Sequence, residues 1–424
     1  LQQTVSDAKS IQKGGWPVSL VRFLSTPSDR MGIIWSLLAV QGAIVLEYGP
    51  AGTTHYSMGL YGGLGLRFQN RMFTTHMSED DVVMGDVTRL EDAIVELDKS
   101  YAPKVIFVVA SSVTAVIGTD IKGVCRYMQN EVKAKLVAFE QGGFRGDYSI
   151  GLAETYKLLV RNLPKKGVAA EKGVYNIIGA SMWRYRMESD IWEIKSLLSE
   201  ALGLSCNACL CCDTSVEELE DMGLAQVNIV LGNEGLAAAK YLQEKFGTPY
   251  VYAVPYGYNG TLSFLAQVGE VVGREPDSMV LLRLQTKEKS LSRLSLFTMM
   301  GNNKLKKAVV KGDYDMVQGV SAFLEQGGIT VLHKMCAHSL KAIAEPAAAV
   351  EAYAEESDWL QVIRGLHDTL ILADDVALLQ AEADNTKVLI SAPFMNSAVA
   401  THMPFMGERG ADYLFERMQA YCRR

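Results

Sequence analysis

Short β-branched runs recur along this chain, each ending in small or polar residues and each followed by a stretch of helical length. That alternation is the pattern of parallel sheets covered by helices, because strands buried on both faces read as continuous apolar runs. In the first third the runs are GAIVLEYGP (42–50), KVIFVVASS (104–112) and KLVAFEQGG (135–143). The pattern restarts with VYNIIGAS (174–181), QVNIVLGNEG (226–235) and YVYAVPYGYNG (250–260). A third series holds LKKAVVKGDYD (305–315), ITVLHKM (329–335), DTLILAD (368–374) and KVLISAPF (387–394).

The fold class is therefore α/β: three Rossmann-like, doubly wound units with mainly parallel sheets. The 424 residues agree with that number at about 150 residues per domain. Glycine, proline and charge interrupt the apolar pattern at LPKKGVAAEKG (163–173) and VGREPDS (272–278). The expected domains are 1–168, completed by the C-terminal segment 392–424; 169–274; and 275–391, which opens with a connecting helix between about Pro276 and Asn303. The acidic, alanine-rich stretch AIAEPAAAVEAYAEESDW (342–359) reads as a solvated helix or insertion.

Forty-one Lys and Arg against 48 Asp and Glu give a net charge of −7. This argues against a protein whose main partner is nucleic acid or an anionic membrane. No apolar run reaches the 18 or so residues that span a bilayer, and LQQTVSDAKSIQKGG lacks a signal-like core, so the expected location is cytoplasmic. The cysteines fit a reducing compartment: none precedes Cys125, and four of the seven are Cys206, Cys209, Cys211 and Cys212.

No Gly-Lys-Ser/Thr phosphate loop occurs, so nucleotide is not expected on this chain. GLYGGLGLR (59–67) follows no clear strand and lacks an acidic partner for a ribose. Zinc-hydrolase and serine-esterase patterns are absent. The sharpest chemical feature is SCNACLCCDTS (205–215). Four thiols this close suit an iron–sulfur cluster, zinc or copper(I), although the spacing matches no common ferredoxin or zinc ribbon. The other reading is a buried strand entering a loop, with cysteine acting as a small apolar residue. His55, His76 and His402 fall in loops, and Arg145, between glycines in GGFRGDY, suits an anionic group or an acidic neighbour.

Six segments in order resemble component 1 of nitrogenase and its relatives, which include light-independent protochlorophyllide reductase, the F430 reductive cyclase and the cofactor-maturation scaffold. EYGPAGTTHYSMG (47–59) is similar to the family's His-Gly-Pro-x-Gly-Cys loop, and FTTHMSEDDVVMGDVTRLEDAI (73–94) to the segment after it. VVASSVTAVIGTDI (108–121), FEQGGFRGDYSIG (139–151) and KKAVVKGDYDMVQGVSAFLEQGG (306–328) follow in register, and HMPFMGERGADYL (402–414) resembles the closing motif.

The resemblance implies three domains around a central cavity, with His55, Tyr56, Arg145, Asn233 and His402 as candidate cavity residues. It also implies an iron–sulfur cluster, an ATP-dependent iron-protein-like reductase as partner, and a homodimer or a heterotetramer with a related subunit. The departures concern the ligands. Thr53 and Ser112 stand where the family's subunit-interface cluster takes thiolates, and hydroxyls do not replace thiolates in an ordinary cluster. No cysteine lies around Leu231 to Asn233, and Ala153 falls near the place of the family's cavity histidine. Two functions follow. One is an oxidoreductase component that reduces an unsaturated substrate such as a tetrapyrrole, with dinitrogen reduction not expected. The other is a noncatalytic partner subunit or cofactor-assembly scaffold.

Overall fold

The computed structural model describes residues 26–55, 57, 71–293 and 306–353, then 355–394 and 403–423, with the backbone alone for 294–300. In the first domain, helix α1 (Asp29–Leu38) precedes strands β1 (Ala43–Tyr48), β2 (Met72–Thr74), β3 (Val105–Ala110) and β4 (Lys135–Phe139). They pair in the order β2-β1-β3-β4, all parallel. Every residue of β1 and β3 is buried, which explains their unbroken apolar reading. Helix α2 (Tyr148–Asn162) follows and lies against α1.

Glycine permits that helix contact. A Cβ on Gly32 would stand 2.2 Å from the Tyr148 carbonyl oxygen, and one on Gly151 would stand 1.9 Å from that of Asp29. The two backbones therefore touch where any larger residue would hold them apart.

The second sheet contains β5 (Glu171–Ile178), β6 (Ser205–Cys209), β7 (Ala225–Val230) and β8 (Tyr250–Tyr252) in the parallel order β8-β7-β5-β6. Helices α3 (Met187–Leu202), α4 (Leu236–Phe246) and α5 (Gly257–Val272) belong to it. The long α6 (Ser278–Met300) then leads to the third sheet. There β9 (Lys307–Gly312), β10 (Thr330–Cys336), β11 (Val350–Ala352), β12 (Leu370–Ala373) and β13 (Thr386–Leu389) pair in the parallel order β11-β10-β9-β12-β13, with α7 (Tyr314–Gln326) after β9. Each order reverses direction beside its first strand, which places a crevice at the carboxyl ends of the strands. No helix among the described residues is long and apolar enough to cross a membrane.

One expectation changes. The stretch 342–359 is not simply solvated, because it contributes the edge strand β11 and the start of the helix Glu356–Arg364. The terminal helix α8 (Gly407–Cys422) packs on α3, α5 and α6. Its charged face explains this: Glu408 pairs with Arg283 and Lys287, and Asp412 accepts from Tyr258 at 2.7 Å.

Ahead of α8, the backbone N–H groups of Phe405 and Met406 donate to Oδ1 of Asp190 at 2.6 and 2.8 Å. Burial outweighs these bonds and raises the carboxyl from 3.8 to about 7. A folded-state value above the unfolded one makes this contribution full below about pH 4, and it is lost as pH rises towards 7. Asp190→Asn, which keeps the accepting oxygen, should therefore flatten the stability difference between pH 4 and 8 in urea titrations. Parallel pH profiles for wild type and variant would refute a role for this carboxyl.

Candidate functional site

Charged residues that follow strand ends from separate domains meet at one buried junction. Arg184 comes from the loop after β5; its Nη2 donates to Glu234 at 2.9 Å, its Nε to Asp313 at 3.1 Å, and its Nη1 to the Gly179 carbonyl at 2.9 Å. Glu234 follows β7 and Asp313 follows β9, so the guanidinium joins the second domain to the third. The hydroxyl of Tyr148, at the start of α2, donates to the other oxygen of Asp313 and brings in the first domain. Trp35 of α1 stacks on Trp183 at 3.8 Å and 3°, which adds an apolar contact between the first two domains.

Two groups beside this junction have shifted protonation. Burial, reinforced by the charge of Glu234, raises Asp315 to about 6, although it accepts from the Asn233 N–H at 2.8 Å and from the Tyr252 hydroxyl. Burial pushes His338 down, but Cys336, Glu234 and Asp313 raise it past that effect, to about 10. The Tyr314 N–H donates to Nε2 at 3.3 Å and Nδ1 lies 3.1 Å from the Ser339 carbonyl, so the ring donates at Nδ1 and accepts at Nε2, with Glu234 4.0 Å from Nε2.

Asn233 borders two cavities. One of about 210 Å³ is walled by Ser149, Ala153, Glu234, Leu236, Lys240, His338 and Ile343. A more open one of about 510 Å³ has Tyr252, Asp315, Gln318 and Ile343 on its walls. A third space of about 50 Å³ lies beside the buried Lys311–Asp374 pair, Trp183 and Trp359. A cavity of about 150 Å³ suffices for benzene, so the first can hold a small molecule.

Of the candidate cavity residues, Asn233 alone is placed on these walls. His55 is exposed, and Arg145 is exposed on the loop beside Asp29. Tyr56 and His402 lie outside the described residues, as does the glycine-rich stretch 59–67. Arg184, Glu234, Asp313, Asp315 and His338 were not singled out from the sequence. Their only signal there is a charged or polar residue just past each apolar run, as in GNEG, GDYD and CAHS.

Thr53 and Ser112 stand at the carboxyl ends of neighbouring strands β1 and β3. The Thr53 hydroxyl donates to the Pro50 carbonyl at 2.8 Å, and the Ser112 hydroxyl to that of Gly142 at 2.7 Å. Arg30 of α1 pairs with Glu47 of β1 in the interior, and Thr54 donates to the other carboxylate oxygen at 2.7 Å. Hydroxyls committed to carbonyls beside a buried ion pair do not fit a thiolate-held cluster.

The cysteine segment is strand β6 and the turn after it. Cys206 faces Tyr175, and burial pushes its thiol up to about 11. Cys211, with φ 63°, turns towards Ser36, while the Cys212 N–H donates to the Cys209 carbonyl at 3.0 Å and holds these two residues side by side. Burial holds Cys209 and Cys211 well above the usual thiol range, so both are protonated. Among the described residues no three His, Cys, Asp or Glu side chains are placed to share a metal ion.

A family model for nitrogenase component 1 type oxidoreductases matches residues 28–422. The chain is 26% identical to the nitrogenase iron-molybdenum cofactor biosynthesis protein NifE of Clostridium pasteurianum, over 69% of this chain and 64% of that protein. It is 27% identical to the nitrogenase molybdenum-iron protein alpha chain of the same organism, over 54% and 44%. Against one of the subunits of light-independent protochlorophyllide reductase of Heliobacterium modesticaldum it is 26% identical, over 59% and 48%. The matches thus span 44% to 64% of these relatives' own lengths. Nitrogenase Cp1 at pH 6.5 shares the fold, with a TM-score of 0.77 at 18% identity over 98% of this chain and 96% of that one.

Proposed function

The chain belongs to the nitrogenase component 1 type oxidoreductase family, and from that premise we propose that it is a noncatalytic partner subunit or a metallocofactor-assembly scaffold. Thr53 and Ser112 carry this reading: their hydroxyls are spent on backbone carbonyls, and the Arg30–Glu47 pair occupies the interior behind them. The similarity to a cofactor biosynthesis protein supports it. In such an assembly a related, cysteine-bearing chain supplies the cluster ligands, in a heterotetramer or an equivalent pairing. This chain supplies the walls of an interdomain cavity.

A second reading is favoured by His338 on the wall of the cavity of about 210 Å³, where Cys336, Glu234 and Asp313 raise the affinity of the ring for a proton. In it, an ATP-dependent iron–sulfur reductase delivers electrons and this chain helps reduce an unsaturated substrate. His338 then holds a proton near the bound molecule while Glu234 and Arg184 fix the surrounding charge. A tetrapyrrole would need the wider space of about 510 Å³. Neither reading includes dinitrogen reduction, since the cavity-wall residues Asn233 and Ala153, near the places where the resemblance expects a cysteine and a histidine, supply neither a thiolate nor an imidazole there.

Anaerobic purification of the chain alone and with a related cysteine-bearing chain tests the proposal. The isolated chain should be colourless, with iron and sulfide far below one cluster per chain, and iron should appear only in the complex. A brown isolated chain whose iron is lost in Cys206→Ser would overturn it.

A further inference from the structure

Three sulfur atoms from two segments of the second domain come together, and neither functional reading uses them. Cys209 ends β6, and the Cys212 N–H donates to its carbonyl at 3.0 Å, closing a tight turn that sets the two cysteines side by side, close enough for each thiol to act on the other. Met182, in the loop after β5, places Sδ 3.3 Å from Cys212 Sγ. Cys206 and Cys211 are directed elsewhere, towards Tyr175 and Ser36. Cys209 and Cys212 are each 2% exposed, whereas Met182 is half-buried and leaves an approach from solvent on its side.

We propose that Cys209, Cys212 and Met182 form a binding site for a soft monovalent cation, with Cu(I) the natural occupant. Two thiols and a thioether offer only soft ligands, which select Cu(I) over harder ions. Zinc would require a fourth ligand, and among the described residues no carboxylate or imidazole joins the group. Cu(I) enters and remains Cu(I), and each coordinating thiol releases its proton to solvent, so no electron is transferred. Two thiolates around one monovalent cation leave a single negative charge. Lys195 of α3, whose charge acts on both Cys206 and Cys209, partly offsets it. None of the three sulfur residues borders the cavities at the junction, and the site does not depend on the function proposed above.

Anaerobic titration of the full chain with Cu(I) against a chromogenic Cu(I) chelator tests the site, with X-ray absorption reading the ligands. The chain should take one copper from the chelator and show sulfur scattering alone. Cys209→Ser and Cys212→Ser should lose the copper, while Cys206→Ser and Cys211→Ser should keep it. Met182→Leu should retain the copper but lose one Cu–S path, and this readout decides the matter if a serine variant fails to fold. Copper left on the chelator, an unchanged spectrum in Met182→Leu, or equal loss in Cys206→Ser would overturn the proposal. Iron takes no part in the titration, so its failure is separable from failure of the proposed function.

Discussion

Replacing Arg184 by methionine should destabilise the protein by about 3–5 kcal/mol, the usual cost of removing one partner from a buried ion pair. The side chain of Arg184 is only 4% exposed, and its loss leaves Glu234 and Asp313 buried without the guanidinium that joins them. Urea unfolding followed by circular dichroism measures the effect. Arg184→Lys should recover little, because an ammonium cannot reproduce three directed bonds to Glu234, Asp313 and Gly179. The triple variant Arg184→Met, Glu234→Gln, Asp313→Asn should recover much of the loss, since neither carboxylate then stays buried without its partner. A single-variant loss below about 1 kcal/mol would mean that water reaches the junction and screens it.

Gly151→Ala should cost about 3 kcal/mol, the upper part of the range for overpacking, and Gly151→Val more. The obstacle is a backbone carbonyl 1.9 Å from the added carbon, which no rotamer change relieves. Gly85→Ala makes an informative control, because a side chain there meets nothing within 4 Å and only its left-handed φ of 65° resists. Thermal melts of the two variants should therefore separate, with Gly151→Ala the lower. Equal midpoints would show that α1 and α2 can move apart freely.

The central strands were legible because burial on both faces leaves a run such as VIFVVA with no other reading. Edge strands were less so: Met72–Thr74 and Val350–Ala352 are three residues each and carry little apolar signal. The neighbours of the C-terminal helix were not legible, because its position is set by Asp190, Glu193, Arg283 and Tyr258, and such pairings leave no periodicity in the chain. Asn233 was found through its place in a motif. Arg184 and His338 were missed because their chemistry arises only when loops far apart in the chain converge, Arg184 lying 50 residues from Glu234 and 129 from Asp313. The cysteine cluster was visible at once, but its grouping was not: a positive φ at Cys211 sends that thiol away, and the third sulfur comes from Met182, outside the motif.

Helix α2 connects two separate regions of the molecule. One side lies on α1, whose Arg30 grips the loop around Thr53 and Ser57, and its first turns supply Ser149 and Ala153 to the cavity wall. With glycines removing any side-chain cushion between the two helices, a displacement of α1 at its Thr53 end would meet the α2 backbone directly, and α2 carries two of the chamber's wall residues.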